Sequence, residues 1–230
     1  GREPAPINNC LEDLSIEVID LLVISHFDAD HAGGIAGALS GRSVGTAVIS
    51  GFRDDRPLVA IVNDALEESG VKILSGFAGM SGELGNLNWR VLAPSAQAKE
   101  AKDSNDASVI ISFSGPQFGV LALGDLGEEG QLRLMRNSEA SLRALSSKPL
   151  VLKVAHHGSA DQSNELFRLL TPEISVFSVG TNPYGHPTSK ALSHARQAGS
   201  QVLRTDELGA VAMSFDEGNW VVSVAGKLTV

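Results

Sequence analysis

Short apolar runs alternate with amphipathic stretches along this chain, and turn-forming residues separate them. The opening residues, Gly1 to Pro6, read as a loop. A helix is predicted from about Ile7 to Leu14, with Asn8 or Asn9 as its cap and Leu11 and Leu14 on its apolar side. Ile19 to Ser25 reads as a buried strand, Gly33 to about Leu39 as a helix and Thr46 to Ser50 as a strand. Pro57 to Ser69 shows helical spacing through Leu58, Ile61, Val62, Ala65 and Leu66, with proline at the first turn. Strands follow at Val71 to Leu74 and Trp89 to Ala93. A hairpin is predicted from Ser108 to Ser114 and Phe118 to Leu123 around Gly115-Pro116.

The second half continues the alternation. A helical stretch begins at Glu128 and runs to about Arg136, and a strand at Leu150 to Ala155 enters His156-His157-Gly158-Ser159. A helix near Ser163 to Leu170 and a strand from Ile174 to Val179 lead to Tyr184-Gly185-His186-Pro187. The close is a helix from Ser189 to Ala198 and strands near Gln201 to Leu203, Ala210 to Phe215 and Trp220 to Val224. Helices alternate with strands early and late, and antiparallel pairs occupy the middle and the end. The pattern is mixed α/β. No linker divides it, so a single domain over 1–230 is expected.

Composition narrows the function more than the fold. Hydrophobic residues make up 43% and charged residues 20% of the 230, which is ordinary for a globular chain. No apolar run approaches the ~18 residues of a membrane span, and no signal-peptide pattern opens the chain. Cys10 alone excludes an internal disulfide. The net charge of −9 matters most. A protein that grips a long nucleic acid electrostatically is usually basic, so any such contact must be local, metal-mediated or shared with a partner.

Candidate chemistry gathers at strand ends. After the apolar run from Leu21 to Ile24, four potential metal ligands lie within six residues: His26, Asp28, Asp30 and His31. Carboxylates and imidazoles crowded at the end of a buried strand repel and desolvate one another unless a cation sits among them. Mixed His/Asp ligation suits zinc or manganese. The small residues that follow, Gly33 and Gly34, suggest a helix packed close to a sheet. Asp125 ends another strand and either ligates metal or caps the helix beyond Gly127. Adjacent residues leaving a strand point to opposite sides, so one of His156 and His157 is expected on metal and the other toward substrate. His186 stands between Gly185 and Pro187, as a ligand, a proton donor or part of an ordinary tight turn. Tyr184 either contacts substrate or packs, Asp106 supplies a carboxylate or caps a turn, and His194 is expected at the surface. A nucleophilic role for Ser159 with His157 is disfavoured by their separation of two residues.

The run of His26, Asp28, Asp30 and His31, followed by Gly33-Gly34, resembles the HxHxDH metal motif of the metallo-β-lactamase superfamily, with Asp28 where most members carry histidine. This variant is similar to the C-terminal domain of ComEC, the bacterial DNA-uptake channel family. Asp125, the His156-His157-Gly158-Ser159 run and His186 match its later motifs, and Asn105-Asp106 stands where ComEC-type domains tend to carry two asparagines. Asp206 matches a further turn, with a structural role. The resemblance implies an αββα sandwich. The D-x-G turn that normally precedes the motif is missing unless Gly1 is its glycine, so the first strands are expected to be lacking and one sheet edge unprotected.

The same resemblance implies two divalent ions, manganese or zinc, held by His26, Asp28, Asp30, His31, Asp125 and His156 or His157. Asp30, His157 and His186 are the expected catalytic residues, and Asn105, Asp106, Tyr184 and Ser159 are further candidates. The implied activity is a nuclease that degrades the non-imported strand during DNA uptake, with single-stranded DNA as substrate. The domain would belong to a membrane-channel protein and sit on the outer face of the cytoplasmic membrane. Two other functions fit the residues: a phosphodiesterase on a small ester, and a metal-stabilised domain that guides DNA without cleaving it.

Overall fold

The computed structural model describes residues 1–52, 55–96 and 101–225. They fall into two compact units that exchange segments of chain: Gly1–Met80 with Ala93–Val109, and Ser81–Leu92 with Ile110 onward.

The first unit is built on a parallel three-stranded sheet, β1 (Val18–Ile24), β2 (Ser43–Ser50) and β3 (Lys72–Gly76), in that order. Parallel neighbours require crossovers. The short helices α2 (Ala29–Ala32) and α3 (Ile35–Leu39) join β1 to β2, and α4 (Pro57–Glu68) joins β2 to β3. Central β2 buries Ala47 and Val48 completely, and Ile24, Phe27, Ile35, Val62 and Leu66 close the core around it. Ile61, expected on the apolar face of α4, is 58% exposed instead, because Val62 and Leu66 fix which face turns inward.

The N-terminal helix α1 spans Pro4–Asp13, so it starts three residues before the expected Ile7. Pro4 supplies the first turn. Asn8 is therefore inside the helix, bonded to Glu12, rather than its cap. Arg42 ties this helix down: its guanidinium donates to Asn8, Ile16, Gly37 and Ser40. The glycines after His31 allow a close approach, but to the N-terminal segment and not to a sheet. A Cβ on Gly33 would lie 2.9 Å from the Arg2 carbonyl oxygen, and one on Gly37 would overlap that of Pro4.

The second unit carries a seven-stranded mixed sheet in the order β10-β9-β8-β7-β6-β5-β4. Its strands are β4 (Ser81–Leu84), β5 (Leu87–Ala93), β6 (Ile110–Ser114), β7 (Gly119–Ala122), β8 (Leu150–Lys153), β9 (Ile174–Phe177) and β10 (Gln201–Arg204). The pairs β4–β5 and β6–β7 are antiparallel, whereas β7 through β10 run parallel. The helices are α5 (Glu128–Asn137), α6 (Glu139–Ser146), α7 (Asn164–Leu170), α8 (Ser189–Gln197) and α9 (Thr205–Leu208). The final hairpin, β11 (Ala210–Asp216) with β12 (Asn219–Ala225), packs Val211, Met213, Trp220 and Val222 against Val151, Ile174 and Leu203. Parallel β7, β8 and β9 deliver the residues that follow them to one end of the sheet, where an α/β protein presents its loops.

Candidate metal centre

In the first unit the cluster begins where β1 ends. His26 is fully buried. Its Nδ1 lies 3.1 Å from Ser25 Oγ and 3.3 Å from Ser108 Oγ, which turns Nε2 toward Asp28, 3.9 Å from Oδ2. Asp30 and His31 lie within α2, whose first turn starts at Ala29. The chain thus turns helical ahead of the helix expected from Gly33, which is observed as α3 from Ile35. That brings His31 back over His26, with ring centroids 4.0 Å apart, and Ser25 Oγ also reaches His31 Nδ1 at 3.3 Å.

Asp28 is held by donors the sequence did not flag. Arg56 donates to Oδ1 at 2.7 Å and Ser104 at 2.9 Å. Burial alone would raise this carboxyl. The bonds from Arg56 and Ser104, with the charges of His26 and Arg56, outweigh it and hold the group below its ordinary 3.8. Asp106 accepts from the Lys102 backbone N–H at 3.1 Å, and its own N–H donates to Asp103, bonds of the kind a turn-capping residue makes. Neighbouring Asn105 is half-buried, and its side-chain oxygen has no hydrogen-bond partner among the described residues. Ser108, which closes this segment, is buried beside His26, and the sequence signal for it is its place at the head of a buried strand.

In the second unit Asp125 is 4% exposed and follows β7 through Gly124, which takes a positive φ of 50°. It does not cap α5. The Glu128 N–H at that helix start is taken by Asp161 Oδ1 at 3.1 Å. Asp125 Oδ2 faces two imidazoles instead, His156 Nε2 at 3.9 Å and His157 Nε2 at 3.7 Å.

The two histidines do not point to opposite sides, because the chain does not leave β8 extended. His156 and His157 adopt left-handed conformations (φ 47° and 53°) in a tight turn over Ala155–Gly158. Both rings thereby present Nε2 to the same carboxylate. His157 Nδ1 is 2.6 Å from the Ser178 carbonyl, just beyond β9. A carbonyl only accepts, so the proton sits on Nδ1, and in the neutral ring the lone pair is on Nε2, the nitrogen turned toward Asp125.

His186 completes this group, with its ring 5.5 Å from that of His156. Asn182 shapes its loop, accepting from the His186 and Tyr184 N–H groups and donating to the His186 carbonyl. Burial, and then the proximity of His156 and His157, lower the His186 pKa below 6.5 against the pull of Asp125. Tyr184 is 70% exposed beside it. Ser159 is buried and accepts from the Asp161 N–H.

Two buried glutamines brace this arrangement. Gln131 donates to the Leu126 carbonyl and to Gln162, and Gln162 donates to the Ala155 carbonyl. The Asp125 loop and the histidine turn are thus tied through side chains that sequence reading passed over. Arg204 bonds Asp206 through two nitrogens, a structural role as expected. His194, expected at the surface, is half-buried, with its ring 6.0 Å from that of Phe167.

Both donor sets fit divalent cations. They offer imidazole nitrogens and carboxylate oxygens on residues already oriented by Ser25, Ser108 or Ser178.

The chain is 31% identical over 202 residues to ComE operon protein 3 of Bacillus subtilis (strain 168), covering 87% of this chain and 25% of that protein. It is 27% identical over 213 residues to Competence protein ComA of Neisseria gonorrhoeae (90% and 27% covered), and 26% identical over 201 residues to Recombination protein 2 of Haemophilus influenzae (86% and 22%). It therefore spans about a quarter of the length of the curated relatives it matches. These similarities support the resemblance to ComEC-type proteins carried by the motifs. No family model matches. Among solved structures, a mutant of CmlA beta-hydroxylase superposes with a TM-score of 0.52 at 14% identity, over 82% of this chain and 43% of that one. The fold is accordingly of the metallo-β-lactamase class.

Proposed function

We propose that this chain is a binuclear metal-dependent phosphodiesterase domain that cleaves single-stranded DNA, degrading the strand not imported during DNA uptake. The observation that carries it is the buried Asp125 carboxylate, with two imidazole Nε2 atoms turned toward it and one of those rings locked by Ser178. Buried carboxylates with oriented imidazoles are costly to maintain without a cation. The proposed ligands are His26, Asp28, Asp30 and His31 in the first unit, with Asn105 as a further donor, and Asp125 and one or both of His156 and His157 in the second, with His186 as a further donor. When bound, divalent ions supply Lewis acidity and activate water near neutral pH.

The chain's own residues then divide the work. Ser25 and Ser108 orient His26, Ser178 fixes the His157 tautomer, and the Asn182 loop holds His186 in reach of His156. Asp30, His157 and His186 are the groups proposed to manage protons and substrate. Asp28 in place of a histidine makes the donor set harder and favours manganese over zinc. The substrate and the setting rest on the similarity to competence proteins. They include a membrane-channel portion of the same protein as partner and a position on the outer face of the cytoplasmic membrane. Among the described residues no helix is long and apolar enough to cross a membrane.

Reconstitution with manganese or zinc should load about two ions per molecule, read by elemental analysis. Labelled single-stranded DNA should be cut with manganese and left whole with chelator. No bound metal would leave the DNA-guiding function. Hydrolysis of small phosphodiesters with intact DNA would leave the small-ester function, which the charge of −9 favours.

Arg56 gives a separate check. Its ion pair with Asp28 is partly exposed on both sides, so Arg56→Ala should cost no more than ~1 kcal/mol in chelator. Removing a competing cation from a ligand should tighten manganese binding several-fold. Weaker binding in an isothermal titration would instead make Arg56 a support of the site.

A further inference from the structure

A second polar feature of the Ser81–Leu92 and Ile110-onward unit is lined by none of the candidate ligand residues. A cleft of about 430 Å³ is lined by the β4–β5 hairpin, β6, α6 and the turn after α6. Its size is that of a ligand site. Its chemistry is unusual for this chain, which has 27 acidic and 18 basic residues. Arg90 and Lys148 both line it, against one carboxylate, Glu83.

Neither cation is neutralised among the described residues. The Lys148 ammonium donates to Ser114 Oγ at 3.1 Å and to the Gly115 carbonyl at 2.8 Å. Both acceptors are uncharged, and an ammonium has a third donor. Arg90 is exposed on β5, and its guanidinium makes no ion pair or hydrogen bond among the described residues. Ser112, Ser141 and Asn88 add hydroxyl and amide groups to the lining.

Trp89 forms part of the wall but is 8% exposed, and a Cβ on Gly82 would lie within 2.8 Å of its indole. Its face is covered by the β4 backbone, so the cleft has charge and hydroxyls but no open aromatic platform for a base. Base stacking is what usually holds single strands by their bases, whereas Arg, Lys and seryl hydroxyls recognise phosphate oxygens.

We propose that this cleft binds the phosphate of a nucleotidyl ligand, gripping the phosphodiester backbone of a single strand without reading its sequence. The strand as ligand rests on the function proposed above; the phosphate chemistry does not. It also answers the charge problem, because the contact is local and needs only two cations.

Binding is measured on the full chain in chelator, so that no metal takes part, with a fluorescent twelve-residue oligothymidylate and, in parallel, with dTMP. The oligonucleotide should bind saturably. Its log affinity should fall with log salt at a slope of about −1.4 for two contacts, and of about −0.7 in Arg90→Ala. Arg90→Glu should weaken binding at least tenfold. Ala144→Glu, which places an anion on the exposed α6 side of the cleft, should do the same, and Ala144→Gln should leave binding unchanged. Manganese-dependent hydrolysis of bis-p-nitrophenyl phosphate should be the same in all variants. Loss of that activity in the parent, with the binding effects intact, would sink the proposed function and not this site. Binding of dTMP with the same sensitivity to Arg90 would make a terminal phosphate the ligand; oligonucleotide binding alone would make it the strand backbone. Absence of saturable binding by either ligand, or affinities in Arg90→Glu and Ala144→Glu within twofold of the parent, would overturn the site.

Discussion

Asp125→Asn is expected to abolish metal-dependent hydrolysis by orders of magnitude while leaving the metal-free protein about as stable as the parent. Asparagine fills the same space. The separations of 3.7 and 3.9 Å from the two Nε2 atoms exceed hydrogen-bond length, so no close bond to either imidazole is lost. Removing a charge from a site only 4% exposed also relieves desolvation. With metal the comparison reverses. An ion that binds only the folded state stabilises it by ~2.7 kcal/mol at a hundredfold excess over its dissociation constant. For a chain of this size that is a rise of roughly 5–10 °C in melting temperature. The parent should show that rise with manganese, and the mutant little of it. A helix cap would behave otherwise, costing about 0.5–2 kcal/mol whether or not metal is present, but that role belongs to Asp161. Melts of both proteins in chelator and in manganese decide the matter. Equal metal-induced shifts would remove Asp125 from the ligand set.

The parts of the fold legible in the sequence are those where one local signal dominates. β1 announces itself through Leu21 to Ile24, and the expected end at Ser25 is one residue from the observed Ile24. α4 is marked by Pro57 and its apolar spacing, and the hairpin of β6 and β7 by Gly115-Pro116. β4 carries no such signal: Ser81, Gly82 and Glu83 offer no apolar alternation, and the strand exists because Trp89 of β5 needs the close backbone that Gly82 allows. α6 carries its own signal beyond the helix expected from Glu128, because Leu142 and Leu145 stand at helical spacing and are both buried.

The exchange of segments between the two units is set by contacts distant in sequence, and composition leaves no trace of it. The candidate ligands were all found from their types and their places at strand ends. What orients them was not. Ser104 and Arg56 reach Asp28 from 76 and 28 residues away, and Ser178 acts on His157 through its backbone, which no side-chain pattern reveals. The histidine pair misled because period-two alternation applies only to extended chain, whereas both residues take left-handed φ.

That same turn makes Gly158→Ala a substitution expected to damage both the fold and the metal site. Gly158 has φ 86°, a region costly for any residue with a Cβ. An added Cβ would stand 2.6 Å from a Phe177 ring carbon and 2.7 Å from Pro187 Cβ. Phe177 is fully buried and cannot swing aside. The backbone must therefore shift, and more than packing depends on it. The Gly158 carbonyl accepts from the Thr188 N–H at 2.8 Å and from its hydroxyl at 3.1 Å, so it ties the His156-His157 turn to the segment that carries His186. Conformational strain of ~1–2 kcal/mol and overpacking of ~1–3 kcal/mol should lower the melting temperature in chelator by roughly 5–15 °C. Manganese binding should weaken as well, because the imidazoles move relative to Asp125. Gly82→Ala is the control for a crowded glycine elsewhere: it should destabilise through Trp89 yet leave metal affinity near that of the parent. Thermal melts and manganese titrations of both variants test the difference. If Gly158→Ala melts within 2 °C of the parent and binds manganese equally well, the left-handed turn is not what positions the two histidines.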